Sequence, residues 1–234
     1  MNKLLVIIPA YNECESIKKT IEGIQSLNSI CDYVIINDGS KDSTRDVLIQ
    51  NNLNYIDLPV NLGLSAAFRT GMKYAYKNAY KYAMQFDADG QHGSEYISGM
   101  LDLAEKEGSD IVIGSRYIKG KNQKHSLRTF GGKIISICTK ITTGKKIYDV
   151  TSGMRLYSQR IIKLFALNEN YTPEPDTIAY LSKCGAKIEE FPVEMKERMF
   201  GKSYLGKIKS IKYMYNVCVS LLIIQWFRKI RGVL

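Results

Sequence analysis

The sequence predicts an α/β fold built on a mostly parallel, doubly wound sheet. Three observations carry this. Short, continuous apolar runs at residues 4–8, 33–36, 82–86 and 110–114 are rich in Val and Ile, as strands buried on both faces must be. Stretches with helical apolar spacing separate them, giving β-α-β alternation. Polar clusters follow the runs, and open α/β sheets bind ligands beyond the carboxyl ends of their strands.

The elements follow in order. The run 4–8 stops at Pro9, and Pro9-Ala10-Tyr11-Asn12-Glu13 is the loop after it. Ile17, Ile21, Ile24 and Leu27 define a helix over 15–27. The strand at 33–36 ends in Asn37-Asp38-Gly39-Ser40, a turn that also supplies a helix N-cap for 42–50. A strand near 53–58 precedes Asn61-Leu62-Gly63, which opens a helix over 64–80. The strand 82–86 then runs into Asp87-Ala88-Asp89-Gly90-Gln91-His92. A helix over 94–107 and the strand 110–114 complete the regular half.

The second half is less regular. A helix is expected over 127–142, then a polar turn at 149–155 and a short helix near 158–166. Glu174-Pro175-Asp176 opens a helix that Gly185 ends. A strand at 187–193, a polar loop at 197–203 and a long helix over 206–231 close the chain. The expected organisation is one domain over 1–205 with a C-terminal helical appendage over 206–234.

Composition narrows the class. The chain has 234 residues, enough for one large domain with a sizeable core. Its five cysteines are scattered without zinc or disulfide spacing, which fits reduced thiols. The N-terminal apolar run is too short for a signal-peptide core. A cytoplasmic location follows as an expectation. The net charge of +10 is local: 115–148 carries nine Lys/Arg and no acid, 196–234 carries nine Lys/Arg against Glu197, and the remainder is −7. Such basic stretches suit nucleic acid, an anionic membrane surface or a phosphate-rich substrate. Nucleic acid is the weakest of the three: the chain lacks a recognised nucleic-acid module, and Tyr74, Tyr76, Tyr80 and Tyr82 read as packing.

Asp87 and Asp89 are the centre of the functional reading. In an extended segment an i, i+2 spacing puts both carboxylates on one side. Gln91 adds an amide oxygen. Hard oxygen donors suit Mg²⁺ or Mn²⁺, although Asp and Gly are also common in ordinary turns. Five polar clusters fall at strand ends: Asn12/Glu13, Asn37/Asp38, Asn61/Gly63, Asp87/Asp89 and Ser115/Arg116. Together they suggest one site. His92 reads as a turn or metal-adjacent residue without acid–base work, and Arg155 as either structural or functional.

Six motifs in order, Pro9-Ala10-Tyr11-Asn12-Glu13, Asn37-Asp38-Gly39-Ser40-Lys41-Asp42, Asn61-x-Gly63, Asp87-Ala88-Asp89-Gly90-Gln91-His92, Ser152-Gly153-x-Arg155 and Arg198-x-x-Gly201-x-Ser203, resemble the glycosyltransferase family 2 enzymes of the GT-A fold. The resemblance covers roughly residues 3–205. The most similar subgroup is the polyprenyl-phosphate sugar synthases of the dolichyl-phosphate mannose synthase type. The resemblance implies a Rossmann-like GT-A sheet and an inverting, metal-dependent transfer from a UDP- or GDP-sugar to a polyprenyl phosphate. It implies that Pro9, Tyr11, Glu13, Asp38 and Gly63 line the nucleotide. It also implies that Asp87, Ala88, Asp89 and Gln91 form the metal and diphosphate site, that Arg116 and Arg128 face phosphates, and that Arg198 and Ser203 belong to a loop over the donor. The family usually has two acids where this chain has Asn37-Asp38. Its subgroup often has Lys where this chain has Tyr204.

The chemistry fits those residue types. Charge builds on the departing diphosphate, where a metal and basic side chains stabilise it. A lipid phosphate is already an anion and needs no strong base, whereas a sugar hydroxyl does. Glu174 and Asp176 are the base candidates for the second case; both also suit a helix N-terminus. In the C-terminal helix, residues 213–227 are uncharged and flanked by Lys and Arg. That length falls short of the ~20 residues of a bilayer span. It suits an interfacial helix with snorkelling cations, and an oligomer interface is the alternative. The expectation is a peripheral enzyme at the inner membrane face. Alternatives are transfer to a glycan or lipid-linked hydroxyl, and a non-catalytic nucleotide-binding scaffold at the membrane.

Overall fold

The computed structural model describes residues 2–118, 127–195 and 207–228, without the side chains of 127–130, 207–211 and 226. Among the described residues seven strands form: β1 (Leu4–Ala10), β2 (Cys31–Asn37), β3 (Tyr55–Asp57), β4 (Tyr82–Gln85), β5 (Ile111–Ser115), β6 (Arg155–Ser158) and β7 (Ile188–Pro192). They join in one sheet of order β3-β2-β1-β4-β6-β5-β7. The helices are α1 (Ile17–Gln25), α2 (Thr44–Gln50), α3 (Leu64–Lys77), α4 (Ile97–Glu107), α5 (Leu127–Thr143), α6 (Gln159–Leu167), α7 (Pro175–Lys183) and α8 (Lys207–Val219). A short 3₁₀ turn, Ser94–Tyr96, leads into α4.

β1 shows why the sheet forms here. Its alternate residues serve two cores: Leu5 and Ile7 pack with Phe68, Met72 and Ala75 of α3, while Leu4, Val6 and Ile8 pack with Ile17, Ile21 and Ile24 of α1. All five strand residues are fully buried. Each such side chain contributes about 1.5–3 kcal/mol relative to exposure. A half-buried strand would alternate apolar with polar, so the unbroken run was the right signal.

The sheet is mostly parallel, as expected, with one antiparallel strand. β1, β2, β3 and β4 pair in parallel, and so do β5 and β7, but β6 runs antiparallel between β4 and β5. The polar-turn reading of residues 149–155 hid this strand. β6 has four residues, begins with Arg155 and abuts α6, so no periodicity develops. Two antiparallel steps restore direction. Six strands therefore present their carboxyl ends on one edge, and β6 presents its amino end there.

The C-terminal helix packs one face on the core. α8 continues through a π-helical turn, Ser220–Ile224, into Gln225–Phe227. Val217 and Leu221 join the core beside α5 and α7. Thr142 Oγ1 of α5 donates to the Leu221 carbonyl at 2.9 Å, and Lys183 Nζ of α7 donates to the Gln225 carbonyl at 2.7 Å. The Arg228 guanidinium lies 3.8 Å from the Tyr180 ring centroid. The appendage of the sequence reading is thus continuous with the core along its inner face.

Candidate active site at the carboxyl edge of the sheet

The first loops are laced together by side chains. The Asn12 N–H donates to Ser40 Oγ at 3.0 Å, and the Lys41 N–H donates to Asn12 Oδ1 at 2.8 Å. The Glu13 N–H donates to Thr44 Oγ1 at 2.8 Å. Ser16 Oγ donates to Glu13 Oε2 at 2.5 Å. Pro9 and Tyr11, both half-buried, lead into this frame. The sequence reading missed Ser40 and Thr44 as frame residues; the place of Ser40 in a turn cluster and of Thr44 at the start of α2 was the available signal.

Asp38 binds the loop that leads into α3. Its two carboxylate oxygens accept the Leu62 and Gly63 N–H groups, each at 2.8 Å. It is buried. In this structure it shapes the entry to α3 and thereby sets Gly63 at the site edge. Asn37 is also committed, donating to Asp57 Oδ1 at 2.8 Å.

Asp87, Ala88 and Asp89 extend β4 to the middle of the edge. Thr20 Oγ1 of α1 donates to the buried Ala88 carbonyl at 3.0 Å and ties the loop down. Gly90 adopts φ +73°, the left-handed turn that sends the chain back. Asp89 is 4% exposed, and its Oδ1 accepts the Gln91 N–H at 3.0 Å. The Asp87 side chain is 35% exposed. Gly153, just before β6, backs it: a Cβ there would stand 2.8 Å from Asp87 Oδ2. Two carboxylates with an adjacent amide oxygen form a hard donor set. Among the described residues, no group of three or more His, Cys, Asp or Glu is arranged to hold a metal alone.

Arg116 follows β5 and lies on the same edge. Its acid partner comes from just beyond the basic stretch. Its Nε and Nη2 donate to Asp149 Oδ2 and Oδ1, each at 2.6 Å, and Nη2 also donates to Thr151 Oγ1 at 3.1 Å. Asp149 is the first residue beyond the basic stretch. Burial works against the guanidinium's charge, but the Asp149 bond and charge, with Asp87 nearby, raise its pKa further. The pair fixes Arg116 facing the Asp87 carboxylate's field.

Glu190 of β7 escaped the sequence reading. It accepts the Tyr148 and Asp149 N–H groups, each at 2.8 Å, and so holds the segment that carries Asp149. Burial pushes its pKa up, with those two bonds opposing. Arg155 resolves as structural. It is 2% exposed and donates to the carbonyls of Pro173 and Val150, each at 2.7 Å.

The two base candidates are engaged by other partners. Glu174, the N-cap of α7, accepts the Tyr213 hydroxyl at 2.7 Å. Asp176 accepts Ser220 Oγ at 2.9 Å and the Thr177 N–H at 2.8 Å. Both partners across the interface belong to the C-terminal helix. Burial first, then the Glu174 charge and hydrogen bond, push the Tyr213 phenol pKa up, so the hydroxyl stays a donor. The Arg128 side chain, Arg198 and Ser203 lie outside the described residues.

Comparison with known proteins decides the family. Residues 5–165 match the model described as glycosyl transferase family 2. The chain belongs to glycosyltransferase family 2. It is a glycosyltransferase, and its sheet and flanking helices form the GT-A fold. It is 26% identical over 227 residues to the polyprenol monophosphomannose synthase of Mycolicibacterium smegmatis, covering 92% of this chain and 85% of that one. It is 30% identical over 233 residues to an undecaprenyl-phosphate 4-deoxy-4-formamido-L-arabinose transferase of Salmonella choleraesuis, covering 94% and 68%. Among solved structures it resembles glucosyl-3-phosphoglycerate synthase of Mycobacterium tuberculosis, in complex with Mn²⁺, uridine diphosphate and glucosyl-3-phosphoglycerate. That match has a TM-score of 0.66 at 16% identity, over 95% of this chain and 79% of that one. A mannosyltransferase of Pyrobaculum calidifontis, in complex with GDP-Man and Mn²⁺, has a TM-score of 0.63 at 15% identity, over 86% and 58%.

Proposed function

We propose that this glycosyltransferase moves a sugar from a nucleotide-diphosphate sugar to a polyprenyl phosphate, with inversion, as a peripheral enzyme at the inner face of a membrane. The observation that carries the acceptor class is the commitment of Glu174 and Asp176 to Tyr213 and Ser220. An acceptor hydroxyl would need one of those carboxylates as its base. An ionised phosphate needs none: its oxygen attacks the anomeric carbon while the bond to the leaving diphosphate breaks. The names of the two relatives above support the same class.

The chain's own residues account for the rest. The laced loops after β1 and β2 present Pro9, Tyr11 and Glu13 to the nucleoside. Asp87, Asp89 and Gln91 would hold Mg²⁺ or Mn²⁺, which when bound would place Lewis-acid charge on the donor diphosphate. Arg116 offers a guanidinium fixed by Asp149 to the phosphates, where developing negative charge is stabilised without reorganisation.

Membrane placement rests on the outer faces of α5 and α8. Ile137 and Ile141 on α5, and Ile223, Ile224 and Phe227 beyond α8, are exposed. Lys133, Lys140, Lys145 and Lys146 are exposed beside them. Apolar side chains rimmed by cations suit an anionic bilayer surface. Among the described residues, no helix is long and apolar enough to cross a membrane. A second copy of the chain is the competing occupant of this face.

The test is a panel of UDP- and GDP-sugars with undecaprenyl phosphate or undecaprenol, with Mn²⁺, Mg²⁺ or EDTA. Glycosyl-phosphoundecaprenol should form with the phosphate acceptor and a metal, and not with EDTA. Equal transfer to undecaprenol would overturn the acceptor class. Co-sedimentation with anionic vesicles tests the surface; a stable dimer that ignores vesicles would overturn the membrane placement.

A further inference from the structure

We propose that His92 is a positioning residue that fixes the Asp87 carboxylate for the donor site. The inference rests on the reading of Asp87 as a diphosphate-site ligand. In this role His92 acts through Asp87.

The loop geometry carries it. The His92 side chain is 2% exposed, although it lies in a polar loop. A buried imidazole is tolerated when its nitrogens are partnered. The Asp87 N–H donates to His92 Nδ1 at 3.0 Å. An accepting nitrogen carries no proton, so in the neutral ring the proton sits on Nε2. Nε2 lies 3.4 Å from Asp87 Oδ2. One side chain therefore engages both the backbone and the carboxylate of the same residue, five positions back. The Gly90 turn makes that return possible.

Two further contacts remove the remaining freedom. Phe86, itself buried, meets the imidazole edge-on with centroids 5.3 Å apart. On the other side the backbone of Gly153 approaches Oδ2 so closely that a Cβ would meet it at 2.8 Å. The Asp87 carboxylate thus has an imidazole nitrogen 3.4 Å from its Oδ2 and the Gly153 backbone close to the same oxygen, with a third of its side chain still exposed. Partners that orient a metal's ligands typically change metal affinity or activity by 10–100-fold when removed.

The nitrogens can be separated by substitution. His92→Asn keeps an acceptor near Nδ1 and loses the ring nitrogen that stands 3.4 Å from Oδ2. His92→Gln places an amide donor near Nε2. The measurement is Mn²⁺ affinity of the protein with nucleoside diphosphate present, by calorimetric titration, beside metal-free nucleotide affinity and Tm. For His92→Asn the expected result is a ~10–100-fold weaker Mn²⁺ affinity, with metal-free nucleotide affinity and Tm unchanged. His92→Gln should recover most of the affinity. Wild-type Mn²⁺ affinity in His92→Asn would overturn the proposal. So would equal losses in both variants that track a fall in Tm, since His92 would then be packing alone. Wild-type protein that binds nucleotide but no Mn²⁺ would instead overturn the donor-site reading beneath it.

Discussion

Asp87/Asp89 and Glu174/Asp176 are written alike, two acids with one residue between. The structure gives them opposite surroundings. The first pair extends a central strand to the open edge of the sheet, with Gly153 clearing space behind Asp87 and Arg116 nearby. The second opens α7 and is met by two hydroxyls from the C-terminal helix. An i, i+2 spacing of carboxylates therefore says little about chemistry by itself. What faces the pair decides whether it holds a charged ligand or a neighbouring helix.

The strongest way to break this contrast is to neutralise one acid of each pair. Asp89→Ala should lower turnover by ~10²–10³, the scale of removing one group from a preorganised electrostatic site. Asp176→Asn keeps an oxygen for Ser220 and should stay within about threefold of wild type in kcat/KM. If Asp176→Asn instead abolished turnover with donor binding intact, the pairs would share catalysis and the acceptor would be a hydroxyl.

Arg116→Ala comes next. It removes the guanidinium facing Asp87 and strands the buried Asp149. Turnover should fall by ~10². An unpaired buried carboxylate also destabilises by about 3–5 kcal/mol, so activity must be read well below the variant's own Tm. Asp149→Asn sharpens the point. It leaves the guanidinium in place but unfixed, and should give a smaller loss that shows mainly in kcat.

How these acids divide could not be read from the chain, whereas the sheet that presents them could. Runs such as residues 4–8 announce themselves because full burial demands an unbroken apolar string. Four of the five carboxyl-edge clusters were readable for the same reason, since each follows such a run; Asn61/Gly63 follows the short β3 instead. β6 was not, since a four-residue strand starting with a buried Arg contradicts composition rules for cores. The roles of Arg116, Glu174 and Asp176 depend on partners 33, 39 and 44 positions away. No local pattern encodes those distances. The same holds for Glu190, whose backbone partners lie 42 and 41 positions earlier.

Gly153→Ala tests the space behind the first pair alone. A methyl 2.8 Å from Asp87 Oδ2 must push the carboxylate or its own loop aside. Misplacing a reacting constellation by about 1 Å can cost ~10² in rate, and a shift of a few tenths should cost roughly tenfold. The loss should appear as weaker Mn²⁺ dependence with little change in Tm. An unchanged metal response would mean that the edge tolerates movement and that Asp87 is not held as tightly as its neighbours suggest.

Tyr213→Phe tests the second pair with the least effect on chemistry. It deletes the hydroxyl that donates to Glu174 and leaves the ring to pack. Glu174 keeps partial access to water, so the loss should be about 1 kcal/mol, near the net worth of an ordinary hydrogen bond. For a domain of this size that lowers Tm by about 2–4 °C. Turnover in detergent at 25 °C should hold if, as proposed, Glu174 takes no part in the reaction. Fraying of the C-terminal helix should nonetheless reduce the vesicle-bound fraction, since that helix carries Ile223, Ile224 and Phe227. If Tyr213→Phe lowered turnover without moving Tm, the Glu174 pair would belong to the reaction and not to the helix that covers it.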